Sequence, residues 1–162
     1  APQKPMLFSG SIDENIKWGN TNASNEEIKM VSIKAGASFI DDMSEGFNSL
    51  LGGGGVNLSG GQKQRISIAR GILKKCKILI LDDATSALDA VTEAKVRDGI
   101  NSMGDKTIIT ITQRCGTAMF SDKILVMDNG ENVGFGTHSE LMKNCPIYRD
   151  IYKTQIESSK EA

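Results

Sequence analysis

The stretch "NLSGGQKQRISIAR", Asn57 to Arg70, decides how the chain is interpreted. It places Ser59, Gly60 and Gly61 directly before a segment whose apolar residues recur at helical spacing. Serine is a favoured N-cap, and the N-terminus of a helix carries unpaired N–H groups and a positive dipole end. The stretch therefore predicts a helix start that can hold an anion. The plainer alternative is a serine-capped helix that follows a flexible glycine linker, Gly52–Gly55.

Length, composition and charge restrict the class of protein. The 162 residues are enough for one domain with its own core, and 39% hydrophobic content is ordinary for a soluble globular protein. The net charge of −1 gives no reason to expect a nucleic-acid partner. No apolar run approaches the roughly 20 residues needed to span a bilayer. Because Cys76, Cys115 and Cys145 form no C-x-x-C pair, they indicate neither a zinc site nor a disulfide framework.

The first half of the chain is predicted to be helical. Two serine–glutamate pairs have the spacing of a capping box, Ser11 with Glu14 and Ser24 with Glu27. Apolar residues at helical spacing follow the second pair. A glycine-rich loop over Gly46–Gly55 then leads to the helix that Ser59 would cap.

The second half changes to strands that alternate with helices. The stretch "KILILDD", Lys77–Asp83, predicts a buried strand that ends in carboxylates, and "KTIITIT", Lys106–Thr112, predicts a second strand. Asp89 can cap a helix between them. "DKILVMDNGENVGFGT", Asp122–Thr137, reads as a hairpin with a turn at Asn129-Gly130, before a helix around Leu141. This alternation indicates an α/β fold with a partly parallel sheet. The last residues, 158–162, are expected to be frayed.

Asp82 is a candidate metal ligand because it directly follows a run of Ile and Leu. In open α/β sheets ligands bind beyond the carboxyl ends of the strands. A carboxylate there suits Mg²⁺ that is held through water while substrate phosphates supply other ligands. Taken alone this is a common capped turn. Together with the Ser59 helix start, which lies a short distance upstream, it favours a nucleotide site.

Five motifs, in order, resemble those of ATP-binding-cassette (ABC) proteins. The matches are Gln3 to the Q-loop glutamine, Leu58–Gln62 to the signature motif, Asp82 to the Walker B aspartate, Ser86–Asp89 to the D-loop, and Gly136–Leu141 to the segment that opens the C-terminal helix of exporter-type members. The resemblance covers nearly the whole chain. It implies a partial P-loop NTPase (RecA-like) core with parallel strands plus the ABC helical subdomain.

The resemblance also implies a domain organisation. Residues 1–75 would be the Q-loop and helical (signature) subdomain, and residues 76–162 the C-terminal part of the RecA-like ATPase core. The family's Walker A subdomain precedes the Q-loop, so we expect a portion that by itself binds ATP poorly and is inactive. In the family's strand order the strand at Thr107–Ile111 lies between the Walker A and Walker B strands. We therefore expect an unpaired edge through which the isolated chain self-associates or swaps.

ATP and Mg²⁺ are the cofactors that the resemblance implies. In the family each ATP lies between the phosphate loop of one nucleotide-binding domain and the signature helix of a second. The implied nucleotide-binding residues are Gln3, Ser59, Gly60, Gly61, Gln62, Asp82 and Asp89. Within this set Gln3 and Asp82 would hold Mg²⁺, and Asp89 would organise the dimer contact. Asp83 and Gln113 would occupy the two catalytic positions.

Both catalytic positions depart from the family pattern. Most active members carry Glu where this chain has Asp83, whose side chain is shorter by ~1.5 Å. Misplacement on that scale can cost roughly 10²-fold in rate. Members also carry a switch histidine where this chain has Gln113, which can donate a hydrogen bond but cannot carry a proton as imidazolium does. The two changes resemble the degenerate half of heterodimeric exporters; a tolerant but active site is the alternative.

The leading interpretation is the ATPase subunit of an exporter-type ABC transporter, at the cytoplasmic face of a membrane. Its partners would be a second nucleotide-binding domain and the transmembrane domains. One alternative is a soluble ABC ATPase that acts on nucleic acid or ribosomes. Such members commonly carry coiled-coil insertions or basic surfaces, and neither appears in this sequence. Another is a non-catalytic interaction fragment. His138, the single histidine, lies at a predicted helix start, so a capping or surface role is expected for it.

Overall fold

The structure, a computed structural model, describes residues 1–104 and 106–158; the end expected to be frayed lies almost wholly outside them. The chain forms two compact units, Ala1–Ile111 and Thr112–Ala162. The fold is mixed α/β, as predicted. The division at residue 75 follows the family's subdomains rather than compactness, and it stays a prediction.

In the described part of the first unit, residues 1–104 and 106–111, there are four helices and four strands. They are α1 (Ile12–Lys17), α2 (Asn25–Lys34), α3 (Gly60–Leu73), α4 (Ala90–Asn101), β1 (Gly10–Ser11), β2 (Leu50–Leu51), β3 (Ile78–Asp82) and β4 (Thr107–Ile111). Short 3₁₀ turns lie at Ser38–Asp42, Gly46–Asn48 and Gly53–Gly55. The predicted helix starts are confirmed, because complete capping boxes form at Ser11, Ser24 and Ser59, and Asp89 caps α4.

Helix α3 is the centre of the first unit. Its Ile66, Ile68 and Ala69 are wholly buried, and it packs against α1 and α2. Burying one such isoleucine stabilises the fold by about 1.5–3 kcal/mol. The N-terminus of α3 is consequently presented by a helix that is anchored in the core.

The principal sheet of the unit is a parallel pair. β3 and β4 are in register from Ile78 opposite Thr107 to Asp82 opposite Ile111. The prediction of a buried β3 was wrong for one of its faces, since Ile78 and Ile80 are 54% and 49% exposed. Only the opposite face packs on the core, so the burial alternates along the strand. A second, antiparallel pair, β1 with β2, was not predicted.

The second unit is a hairpin with helices. Its elements are α5 (Cys115–Ala118), β5 (Ile124–Asp128), β6 (Glu131–Gly136), α6 (His138–Asn144) and α7 (Pro146–Ser158). The predicted turn is confirmed, because Asn129 and Gly130 both have positive φ, 47° and 82°, as a type I′ hairpin turn requires. The capping box of Thr137 with Glu140 also forms. The prediction of one helix here was incomplete, because α6 ends before Cys145 and a further helix begins at Pro146.

Among the described residues, no helix has the length and apolar character needed to cross a membrane.

Candidate functional site

The N-terminus of α3 is fixed by a reciprocal cap. The hydroxyl oxygen of Ser59 accepts from the backbone N–H of Gln62 at 3.3 Å, and Gln62 Oε1 accepts from the N–H of Ser59 at 2.9 Å. The N–H groups of Gly60 and Gly61 have no acceptor within the helix, because they belong to its first turn. Ser59 and Gly60 are exposed and Gly61 is half-buried. This end of α3 can therefore accept an anion on its backbone donors.

Gly61 also has a packing role that the sequence did not indicate. A Cβ atom at this position would lie 3.0 Å from the carbonyl oxygen of Ala87 and 3.3 Å from Leu88 Cδ2. The absent side chain lets the backbone of α3 approach the segment that follows β3. The signature helix and the D-loop segment are thus in direct contact.

The end of β3 brings together three of the predicted site residues. The backbone N–H of Asp82, the last residue of the strand, donates to the carbonyl of Ala1 at 2.9 Å. This contact carries the N-terminal segment past the strand end, where Gln3 Nε2 donates to Asp83 Oδ2 at 3.3 Å. Gln3 and Asp82 are exposed, and Asp83 is half-buried.

Asp83 has an unusual backbone conformation. Its φ of 45° lies in the left-handed region, which non-glycine residues rarely adopt. Its N–H donates to Ile111 at the end of β4, at 2.9 Å, and its carbonyl accepts from both the N–H and the hydroxyl of Ser86. These hydrogen bonds stabilise the turn after β3, where the chain leaves the edge of the sheet.

Gln64 is the functional candidate that sequence reasoning missed. Its side chain is only 4% exposed, and its Oε1 accepts from the N–H of Ala87 at 3.0 Å. Its Nε2 donates to Ser86 Oγ at 3.1 Å and lies 3.5 Å from the carbonyl oxygen of Asp83. The sequence offered one signal for it: Gln64 lies four residues before the buried Ile68, so it is a polar residue on the buried face of the helix.

Asp89 directs its carboxylate into its own helix. Its Oδ1 accepts from the N–H of Thr92 at 2.9 Å and its Oδ2 from the Thr92 hydroxyl at 2.7 Å. The Thr92 hydroxyl, and then the Thr92 N–H, lower the pKa of Asp89. The side chain is exposed and ionised at neutral pH, and its role in a dimer contact stays a prediction.

Gln113 lies in the second unit and is exposed. Its carbonyl accepts from Gln155 Nε2 at 2.8 Å, and Gln155 Oε1 accepts from the N–H of Cys115, also at 2.8 Å. Helix α7 therefore fixes the backbone around Gln113, a support that the sequence did not reveal.

His138 packs between aromatic rings, so neither a capping role nor a purely surface role describes it. Thr137 provides the cap, and the ring Nδ1 of His138 lies 2.9 Å from the hydroxyl of Tyr148. Its ring also contacts Tyr152. The residue joins α6 to α7.

The donors at the end of β3 fit a magnesium ion that takes most of its ligands from elsewhere. Among residues 1–104 and 106–158 there is no group of three or more His, Cys, Asp or Glu side chains placed to share a metal. Asp82 offers exposed carboxylate oxygens, and Gln3, which donates through Nε2, keeps its amide oxygen as an acceptor. Mg²⁺ prefers such hard oxygen ligands and commonly keeps water and phosphate in its shell.

Comparison with known proteins gives consistent matches. The family model described as "ABC transporter" matches residues 1–86. An uncharacterized ABC transporter ATP-binding protein of Bacillus subtilis, YfiB, is 49% identical over 159 residues, which are 96% of this chain and 27% of that protein. A putative export ATP-binding/permease protein of Rickettsia felis is 44% identical over 96% of the chain and 27% of its own length.

Two further matches extend this picture. The mitochondrial potassium channel ATP-binding subunit of Xenopus tropicalis is 43% identical over 99% of the chain and 24% of that protein. The solved structure of a bacterial Atm1-family ABC exporter with ATP bound superposes with a TM-score of 0.91 at 35% identity, over 95% of this chain and 28% of the exporter chain. The chain thus spans about a quarter of the length of the relatives that it matches.

Proposed function

The chain belongs to the ABC transporter family, and from that premise we propose that it is part of the ATP-binding and ATP-hydrolysing portion of an exporter-type transporter. The observation that carries the proposal is the N-terminus of α3, where Ser59, Gly60 and Gly61 present backbone donors on a rigid helix. In this proposal the ATP they contact is held mainly by a second nucleotide-binding domain. The names of the Rickettsia relative and of the Atm1-family structure support an exporter.

Each residue at the helix start would make a different contribution to binding the γ-phosphate. The N–H groups of Gly60 and Gly61 would donate to its oxygens, and the positive end of the α3 dipole would favour its charge. The hydroxyl of Ser59 already accepts from Gln62, which leaves its proton for a phosphate oxygen. Gln62 keeps that hydroxyl oriented through the reciprocal cap.

The residues at the end of β3 would serve the ATP bound by this domain itself. Gln3 and Asp82 would hold Mg²⁺, which, when bound, offsets the phosphate charge. Asp83 would orient the attacking water and take its proton, with Gln3 positioning the carboxylate through the 3.3 Å bond. Gln113 would donate a hydrogen bond to the γ-phosphate without carrying a proton. Asp89 would contact the partner domain.

The shorter Asp83 and the uncharged Gln113 favour a degenerate half. In that arrangement the site that uses this chain's Asp82 and Asp83 hydrolyses slowly. The helix start at Ser59 serves the competent site, whose Walker motifs belong to the partner. Transmembrane domains would complete the assembly, with this segment at the cytoplasmic face of the membrane.

A second candidate function follows from one relative. The Xenopus protein is named as the ATP-binding subunit of a mitochondrial potassium channel, and it is similar over 99% of the chain. By that analogy the chain would belong to a subunit whose ATP binding controls a channel. ATP-dependent ion flux without ATP-driven export would favour this candidate.

The test is ATP turnover by the full-length protein assembled with its partner. We expect Ser59→Arg to lower kcat by about 10²-fold or more, the scale of losing aligned donors to a developing charge. Asp83→Asn should change kcat by less than about threefold, because the degenerate site contributes little. Ser24→Arg is the matched control, since it breaks an equivalent capping box on α2 and should retain turnover. Equal losses from Ser59→Arg and Asp83→Asn would refute the degenerate-half proposal.

A further inference from the structure

The side chain of Gln64 is a buried bridge between α3 and the segment that follows β3. It is almost fully enclosed, yet both ends of its amide are directed at one short segment, residues 83–87. Its oxygen accepts from Ala87, and its nitrogen donates to Ser86, whose hydroxyl in turn donates to the carbonyl of Asp83 at 2.8 Å. A buried amide whose partners all lie in one turn fixes the position of that turn.

The turn that Gln64 holds contains a strained residue. Asp83 adopts a left-handed backbone, and such conformations persist only where the surroundings impose them. The carbonyl of Asp83 accepts from the N–H of Ser86 at 3.2 Å and from the Ser86 hydroxyl, and Gln64 Nε2 approaches it at 3.5 Å. Loss of the Gln64 side chain would leave the Ala87 N–H without this acceptor inside the protein. The turn would then relax from the strained geometry.

The bridge begins one helical turn from the helix start. Gln64 lies on α3 four residues after Gly60 and three after Gly61, and Gly61 itself is packed against the carbonyl of Ala87. The two contacts clamp the same segment to the first turns of α3. A displacement of the helix start would therefore be passed to Asp83, and the reverse.

We propose that Gln64 is a positioning residue that aligns the N-terminus of α3 with Asp83, so that the parts serving the two ATP molecules of the assembled pair move as one unit. The inference rests on the proposed function. It assigns Gln64 no contact with the nucleotide. Its removal should consequently lower kcat without weakening ATP binding.

The experiment compares Gln64→Met with wild type in the full-length protein assembled with its partner. Met has nearly the same size and shape as Gln and packs adaptably, so the core volume is retained while both hydrogen-bonding ends are lost. We expect kcat to fall by about 10- to 100-fold, because without the bridge the helix start at Ser59, which serves the competent site, would be misplaced by about 1 Å. KM for ATP should stay within about twofold, because the side chain is predicted not to touch ATP.

Ser67→Ala is the matched control, since Ser67 is also buried on α3, at 5% exposure, and lies three residues further along the helix than Gln64. It should retain kcat within about twofold. If Gln64→Met does not fold, Ser86→Ala removes the bond from Gln64 Nε2 while leaving the one from Ala87, and kcat should fall in the same direction but by less. A kcat for these bridge variants equal to that of Ser67→Ala would overturn the inference and leave the proposed function intact. Absence of ATP turnover in the wild-type assembly would instead overturn the proposed function.

Discussion

Arg70 should be the cation on α3 whose loss most destabilises the first unit. Its guanidinium donates to the carbonyl of Asn15 at 2.8 Å, to Asn15 Oδ1 at 3.1 Å and to the carbonyl of Met6 at 2.8 Å. It also lies 5.4 Å from the centre of the Phe8 ring. These contacts fasten the segment that follows Gln3 to the far end of the signature helix. Burial lowers the pKa of Arg70, but the side chain stays charged at neutral pH.

The magnitude follows from how well water can replace each bond. Hydrogen bonds from a charged donor contribute about 1.5–3 kcal/mol when buried. The bond to Met6 is exposed, so water replaces it at little cost, whereas the two bonds to Asn15 are partly buried. The contact with Phe8 adds roughly 0.5–1 kcal/mol. Because water still reaches the two bonds to Asn15, each contributes about 1 kcal/mol rather than the fully buried value. We therefore expect Arg70→Ala to lower the free energy of unfolding by about 2.5–3 kcal/mol, and Arg70→Lys by about half as much, because an ammonium cannot donate in the forked geometry.

Urea unfolding followed by circular dichroism measures this prediction. Lys74→Ala serves as the control, because Lys74 is an exposed cation just beyond the last residue of α3 and should change the free energy of unfolding by no more than ~0.5 kcal/mol. If Arg70→Ala were as mild as Lys74→Ala, the reasoning that this side chain fastens the two segments would be refuted.

Three further predictions concern packing, ionisation and strand pairing. In thermal unfolding, Gly99→Ala should destabilise the protein by about 1–3 kcal/mol, because the added Cβ would lie 2.2 Å from the carbonyl oxygen of Lys34. Gly116→Ala is the control and should be neutral, because a Cβ there meets nothing within 4 Å. Burial raises the pKa of Tyr148 to about 12. The stability that the neutral phenol contributes to the fold is therefore present below the unfolded pKa of about 10 and is lost as the pH rises through 12. An ultraviolet titration should show this late phenol step, and Tyr148→Phe should remove it. Among the described strands, none pairs with the edge of β4 that faces away from β3, so sedimentation of the isolated chain should show self-association as the concentration rises. Replacing the exposed Ile109 with Lys should weaken this association. A chain that stays monomeric at every concentration would count against pairing through β4.

The helix starts could be predicted because their determinants are local. Ser11, Ser24, Ser59 and Thr137 each have Glu or Gln three residues later, and all four form the reciprocal box in the structure. The hairpin turn at Asn129-Gly130 followed from conformational preferences of two adjacent residues. Spacing alone carries such information, because the partners are close in sequence.

The sequence could predict which residues belong to the site, but not how they contact one another. The resemblance to ABC proteins named Gln3 and Asp83, but their contact joins residues 80 positions apart, which no local pattern encodes. The bridge from Gln64 to residues 83–87 depends on the depth at which α3 packs. The half-exposed face of β3 was missed because a run of Ile and Leu looks the same whether one or both faces are covered.

The most direct test of the account is a density map of the assembled pair trapped with ATP and Mg²⁺. A γ-phosphate, on a nucleotide held mainly by the partner domain, should lie within about 3 Å of the hydroxyl of Ser59 and the N–H groups of Gly60 and Gly61. A map in which both triphosphates are bound and the N-terminus of α3 contacts neither of them would contradict it.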